Sequence, residues 1–113
     1  MRAPCRTVDS WSAAGGEGSG GAVIARVVRA TARSEHEVQA MAARWRDEIG
    51  PLERSRPGFR GGVVLCEGPD LLAVSCWDDP RAGAALDPLS VALARTAFAD
   101  LLAKPLACHL RNL

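Results

Sequence analysis

The sequence predicts an α+β domain of the ferredoxin-like kind, and three observations carry the prediction. Apolar runs at strand period alternate with two stretches at helical period. The order they give is β-α-β-β-α-β, the split βαβ arrangement. The strands are apolar on both faces, while only two helices are present to cover a four-stranded antiparallel sheet. A single chain would expose the second face as an apolar patch of roughly several hundred Å², more than soluble monomers usually tolerate. A homodimer, with two sheets paired face to face, is therefore expected.

Ala22 to Thr31 is β-branched and nearly alternating, with Val23, Ala25 and Val27 on one face and Ile24, Arg26 and Val28 on the other. It reads as the first strand. Ser34 followed by Glu37 has capping-box spacing, and Val38, Met41, Ala42, Trp45 and Ile49 then recur at helical intervals. Gly50-Pro51 is expected to interrupt this helix, because proline lacks the backbone donor and clashes with the preceding turn; Leu52 to Arg54 can continue as a short second piece. Beyond Arg56-Pro57-Gly58-Phe59, the runs Gly62 to Cys66 and Leu71 to Trp77 flank Glu67-Gly68-Pro69-Asp70 and form a hairpin. Asp78-Asp79-Pro80 supplies a helix start, and the apolar stripe from Ala82 to Leu101 marks a second helical region kinked at Pro88. Lys104-Pro105 ends it. Leu106 to Leu110 is the last strand.

Residues 1–20 read as a flexible N-terminal tail and 21–113 as the folded domain. Ala13 to Gly21 is too glycine-rich to repay the entropy of ordering, so the leader is expected to be dispensable for folding. No signal-type apolar run and no stretch of 18 apolar residues occurs, which places the protein in the cytoplasm with its thiols reduced. The net charge of +1, with arginines scattered along the chain, argues against nucleic acid or an anionic membrane as partner. Cys5, Cys66, Cys76 and Cys108 form no C-x-x-C pair and have no histidine at ligand spacing. They read as buried free thiols, with no metal site.

Pro57-Gly58-Phe59 after a helix, then a hairpin ending in Ser75-Cys76-Trp77-Asp78-Asp79 and an alanine-rich helix, resembles the antibiotic biosynthesis monooxygenase family of dimeric α/β barrels. The resemblance covers about Ala22 to Leu110. It implies a homodimer holding a small hydrophobic or aromatic ligand, and oxygenation of aromatic, polyketide-like molecules without metal or flavin cofactor. Trp77 matches the tryptophan that lines the family's cavity, and Arg26 sits near a strand position where several members carry asparagine. The haem-degrading branch uses a histidine on the second helical region, and none lies between Asp78 and Lys104. Tyrosine, often used by the aromatic-oxygenating branch, is absent.

Cofactor-free oxygenation needs a group to deprotonate a phenol or enol, a cation to hold the anion, and a dry cavity. Arg26 is the candidate cation, Trp77 the aromatic wall, and His109 the candidate base, with Ser75 and Phe59 as further ligand contacts. The alternatives are a strand arginine in an ion pair, a core-filling tryptophan, and a wet terminal histidine. His36, Glu48 and Glu53 read as surface charges. The rival function is a non-catalytic ligand-binding or accessory dimer of the same fold.

Overall fold

Alternation along the apolar runs produces strands, and the strands form one antiparallel sheet. In the computed structural model, which describes residues 6–12, 24–79, 81 and 91–112, the elements are β1 (Arg6–Ser12), β2 (Ile24–Thr31), α1 (Glu35–Arg44), a wide π turn (Trp45–Ile49), α2 (Gly50–Arg54), β3 (Phe59–Glu67), β4 (Asp70–Trp77), α3 (91–98) and β5 (Ala107–Asn112). The strand order is β1-β3-β4-β2-β5. Strands β2 to β5 are the expected ferredoxin-like four, with β2 and β4 central. Pro88 and the first half of the second helical region lie outside the described residues.

Strand β1 corrects the reading of a flexible tail at residues 6–12, the part of residues 1–20 that lies within the described residues. Arg6–Ser12 pairs antiparallel with β3 from Arg6 opposite Cys66 to Ser12 opposite Gly61, with a bulge between Thr7 and Asp9. The pairing satisfies backbone groups along the β3 edge, a local gain that the glycine-rich stretch after it does not cancel. Deleting residues 1–12 is accordingly expected to lower the melting temperature by a few degrees, on the order of 1 kcal/mol. Hydrogen exchange checks it directly: the amides of Gly61 to Cys66 that β1 bonds should lose protection, and unchanged protection there would contradict the pairing.

Strand parity sorts the side chains cleanly. Ile24, Arg26, Val28 and Ala30 of β2 and Leu71, Ala73, Ser75 and Trp77 of β4 are buried and alternate with less buried residues on most of each strand. Their cross-strand register puts them on one face, Ile24 opposite Trp77 and Arg26 opposite Ser75. The helices cover this face: Val38, Met41, Trp45, Ile49, Ala94 and Phe98 complete a single core with it. Trp45 and Phe98 approach at 6.4 Å between ring centroids, joining the first helical layer to α3. Arg44 reaches across the same seam to the Asp100 carboxylate at 2.7 Å.

Phe59 reaches the helix face by an irregularity. The register between β3 and β4 shifts between Phe59 and Gly61, so Phe59 faces Trp77 although it lies an odd number of residues from Val64. The hairpin turn uses Gly68 at φ 57°, a glycine at the first central position of a two-residue connection.

The helix is widened, not broken, at Gly50-Pro51. The Gly50 N–H bonds to the Trp45 carbonyl five residues back, and Pro51 falls in the first turn of α2, where its missing donor costs little. The expected capping box is also not formed: Ser34 stands at the N-cap with no side-chain bond, and one carboxylate oxygen of Glu37 is buried without a partner. Of the thiols, Cys66 is buried, whereas Cys76 and Cys108 are half-buried. Among the described residues, no helix is long and apolar enough to cross a membrane.

Candidate functional site

Among the described residues, the buried helix face of the sheet is apolar except at one place. Arg26, Glu53 and Ser75 are 1%, 0% and 2% exposed, set among residues that are otherwise hydrophobic. Arg26 Nη1 donates to Glu53 Oε2 at 3.3 Å, an ion pair between β2 and α2 that is sealed from solvent. On β4, the Trp77 indole N–H donates to the Ser75 hydroxyl at 3.0 Å. Trp77 itself is fully buried and meets Phe59 edge to face, with centroids 5.3 Å apart and planes at 71°. Gly62 stands opposite Ser75 in the register and brings no side chain to this row.

Glu53 sits in an environment far from ordinary for a carboxyl. Burial drives its pKa from 4.5 up to about 7, against the pull of the Arg26 charge, the Ser75 hydroxyl and the Arg26 hydrogen bond. Its second oxygen, Oε1, is buried with no hydrogen-bond partner. The expectation that Glu53 is a surface charge is thus corrected; Glu48 and His36 are exposed as expected. A signal was available in the sequence, because Glu53 follows Ile49 by four residues and continues the stripe Val38, Met41, Trp45, Ile49. Treating Gly50-Pro51 as a break hid it, and the π turn is what lets the helix carry that stripe through the proline.

Arg26, Trp77, Ser75 and Phe59 are therefore brought together. His109 is not. It lies opposite Val27 on β5, an odd-parity position, and is exposed with Arg111 on the face away from the helices. The sheet separates it from Arg26 and Trp77, so it is no base for a ligand held there. On that same open face, Val27, Val63, Leu65, Leu72 and Val74 are each half-buried. A concavity of about 390 Å³ lies at the hairpin end of the sheet, lined by Arg29, Thr31, Leu65, Leu72 and Lys104 among others, and includes none of the expected site residues. Among the described residues, no cluster of three histidine, cysteine or acidic side chains is placed to hold a metal ion.

The fold is that of antibiotic biosynthesis monooxygenase structures. The monooxygenase from the ActVA-Orf6 gene of Streptomyces coelicolor, in complex with nanaomycin D, is similar at a TM-score of 0.67 and 18% identity over 82% of this chain and 88% of that one. A ferredoxin-fold protein related to antibiotic biosynthesis monooxygenases, from Listeria monocytogenes, matches at 0.65 and 13% identity over 96% of this chain and 63% of its own. A major regulator of staphylococcal pathogenesis matches at 0.67 and 9% identity, covering 94% of this chain and 65% of that protein. No family model and no curated protein matches the sequence. At these identities the likeness is one of fold, and it covers a ligand-holding oxygenase and a regulator alike.

Proposed function

We propose that the chain binds a small aromatic or polyketide-like molecule carrying an acidic hydroxyl on the helix face of its sheet, and oxygenates it without a cofactor. The observation that carries this reading is the Arg26–Glu53 pair, set beside Ser75 and Trp77 inside an apolar core. A buried ion pair is a poor stability device, since well-packed apolar residues of the same volume do as well or better. Perturbed buried charges beside an aromatic wall are instead what sites for acidic ligands look like. The similar Streptomyces monooxygenase, in complex with nanaomycin D, supports a small organic ligand for this chain.

The ring of such a ligand stacks against Trp77 and Phe59 while its ionised oxygen lies by the Arg26 guanidinium. An electron-rich anion held in a dry site passes an electron to dioxygen directly, and no metal is needed to start the reaction. Arg26→Met is expected to weaken binding of an ionised hydroxyquinone by roughly ten- to a hundredfold, the worth of a charged hydrogen bond, and to leave a neutral analogue little changed. Trp77→Leu should weaken both. Titrations of the variants check this, and oxygen uptake with an anthrone tests the reaction itself. Equal binding of charged and neutral ligands by Arg26→Met would make the arginine structural.

The half-buried apolar residues of the open face support pairing with a second copy of the chain. Light scattering after size exclusion is expected to give about twice the 11.9 kDa chain mass, and a soluble monomer at micromolar concentration would contradict it. A non-catalytic binding protein is the second reading, favoured by the likeness to a regulator and by the near-complete enclosure of the cluster. Oxygen uptake separates the two.

A further inference from the structure

The site holds a group that ligand binding and charge stabilisation alone do not require. Arg26 would suffice to hold an anion, yet Glu53 occupies its guanidinium at 3.3 Å and competes for it. A fixed carboxylate in that position weakens anion binding unless it can lose its own charge. Glu53 has the means: Oε2 faces Arg26, whereas Oε1 is buried with no partner at hydrogen-bond geometry, the Ser75 hydroxyl being the nearby group that acts on the carboxylate. We propose that Glu53 is the base of this site, taking the proton of the ligand's acidic hydroxyl on Oε1 while Arg26 passes from the carboxylate to the ligand oxygen.

The step balances within the cluster. The ligand O–H bond breaks with its electron pair left on the ligand oxygen, and one O–H bond forms on Glu53. Before transfer the buried charges are Arg26 and the Glu53 carboxylate; afterwards they are Arg26 and the ligand anion. Among the described residues of the cluster one positive and one negative charge are kept throughout, so the exchange adds no uncompensated charge to the low-dielectric interior. A carboxyl that burial raises to about 7 is a stronger base than an ordinary carboxylate, which favours that exchange. The charged group acting on Glu53 from β2 is Arg26, and from β4 the Ser75 hydroxyl acts on it. On β3, which α2 also packs against, Arg60 is engaged with Asp78 at 3.3 Å.

This assignment rests on the helix face being the ligand site, and the experiment keeps the two claims apart. The full chain is titrated with 2-naphthol at about pH 8, where the free probe is neutral and Glu53 is ionised. Absorbance reads the ionisation of the bound naphthol, calorimetry in two buffers of different ionisation enthalpy counts protons released, and infrared difference spectra read the carboxyl. The expected result for the wild type is bound naphtholate with no proton released to buffer and a new protonated-carboxyl band. Glu53→Gln, which has nowhere to put the proton, should release about one proton for each naphtholate bound. A wild type that releases that proton to buffer, or that binds neutral naphthol with no carboxyl band, overturns the assignment while leaving the site intact. The infrared result does not depend on the variant folding. A wild type that binds no naphthol contradicts the binding site itself, and the base assignment goes with it.

Discussion

Stability is expected to fall by roughly 3 kcal/mol between about pH 4.5 and pH 8, and Glu53→Gln to abolish most of that fall. The folded protein holds the Glu53 carboxyl at about 7, up from an ordinary 4.5, mainly through burial. A carboxyl whose pKa is raised by folding favours the folded state fully below its unfolded value, and this advantage is lost as pH rises through the folded value. The unfolded chain then gives up a proton that the folded chain would rather keep. Asp100 acts in the opposite sense: its hydrogen bond from Arg44 lowers its pKa below 3.8, so its contribution disappears only in acid and does not overlap this window. Urea unfolding midpoints across the range, at one protein concentration, measure the effect. Arg26→Met should push the Glu53 titration higher still, since the Arg26 charge and its hydrogen bond, together with the Ser75 hydroxyl, hold it down. A wild-type profile that is flat from pH 5 to pH 8 would mean that the carboxyl is solvated and the cluster open.

Trp77→Ala is expected to cost roughly 3–5 kcal/mol, the scale for deleting a buried aromatic side chain. The residue is fully enclosed, packs edge to face on Phe59, and ties its indole N–H to Ser75. Its loss leaves a cavity between β3, β4 and the helices and frees a hydroxyl in an apolar core. The melting temperature should fall by more than about 10 °C. Trp77→Phe keeps most of the volume and removes the indole hydrogen bond, so a smaller loss of about 1–2 kcal/mol is expected. A fall below about 5 °C for the alanine variant would show that Trp77 is not held as described.

The sheet and its facing were legible because alternation is a local property. Ile24, Arg26 and Val28 separate from Ala25 and Val27 by parity alone, and the same rule sets Ser75 with Trp77. What was not legible depends on pairing or on irregularity. Phe59 shares a face with Trp77 only because the β3 register slips near Arg60, and a slip leaves no mark in an apolar pattern. His109 lies across the sheet from Arg26 because β5 pairs with β2 in a register that puts it opposite Val27, a long-range fact. Strand β1 was hidden by the glycine run that follows it, which dominates the composition of the leader. Glu53 was hidden by Pro51, although four-residue spacing from Ile49 pointed inward; the π turn at Trp45–Ile49 decides the matter.

The claim on which the rest depends is that a ligand lies between the sheet and the helices against Trp77 and Arg26. The side-chain N–H resonances of Trp11, Trp45 and Trp77 give three separate reporters in a nitrogen–proton correlation spectrum. Titration with a hydroxynaphthoquinone is expected to move the Trp77 indole signal and the Arg26 guanidinium signal together, saturating at one ligand per chain, with His109 and the backbone amides of the open face unmoved. Shifts confined to Val27, Val74 and His109, with the Trp77 indole fixed, would place the ligand on the other face of the sheet and contradict the account.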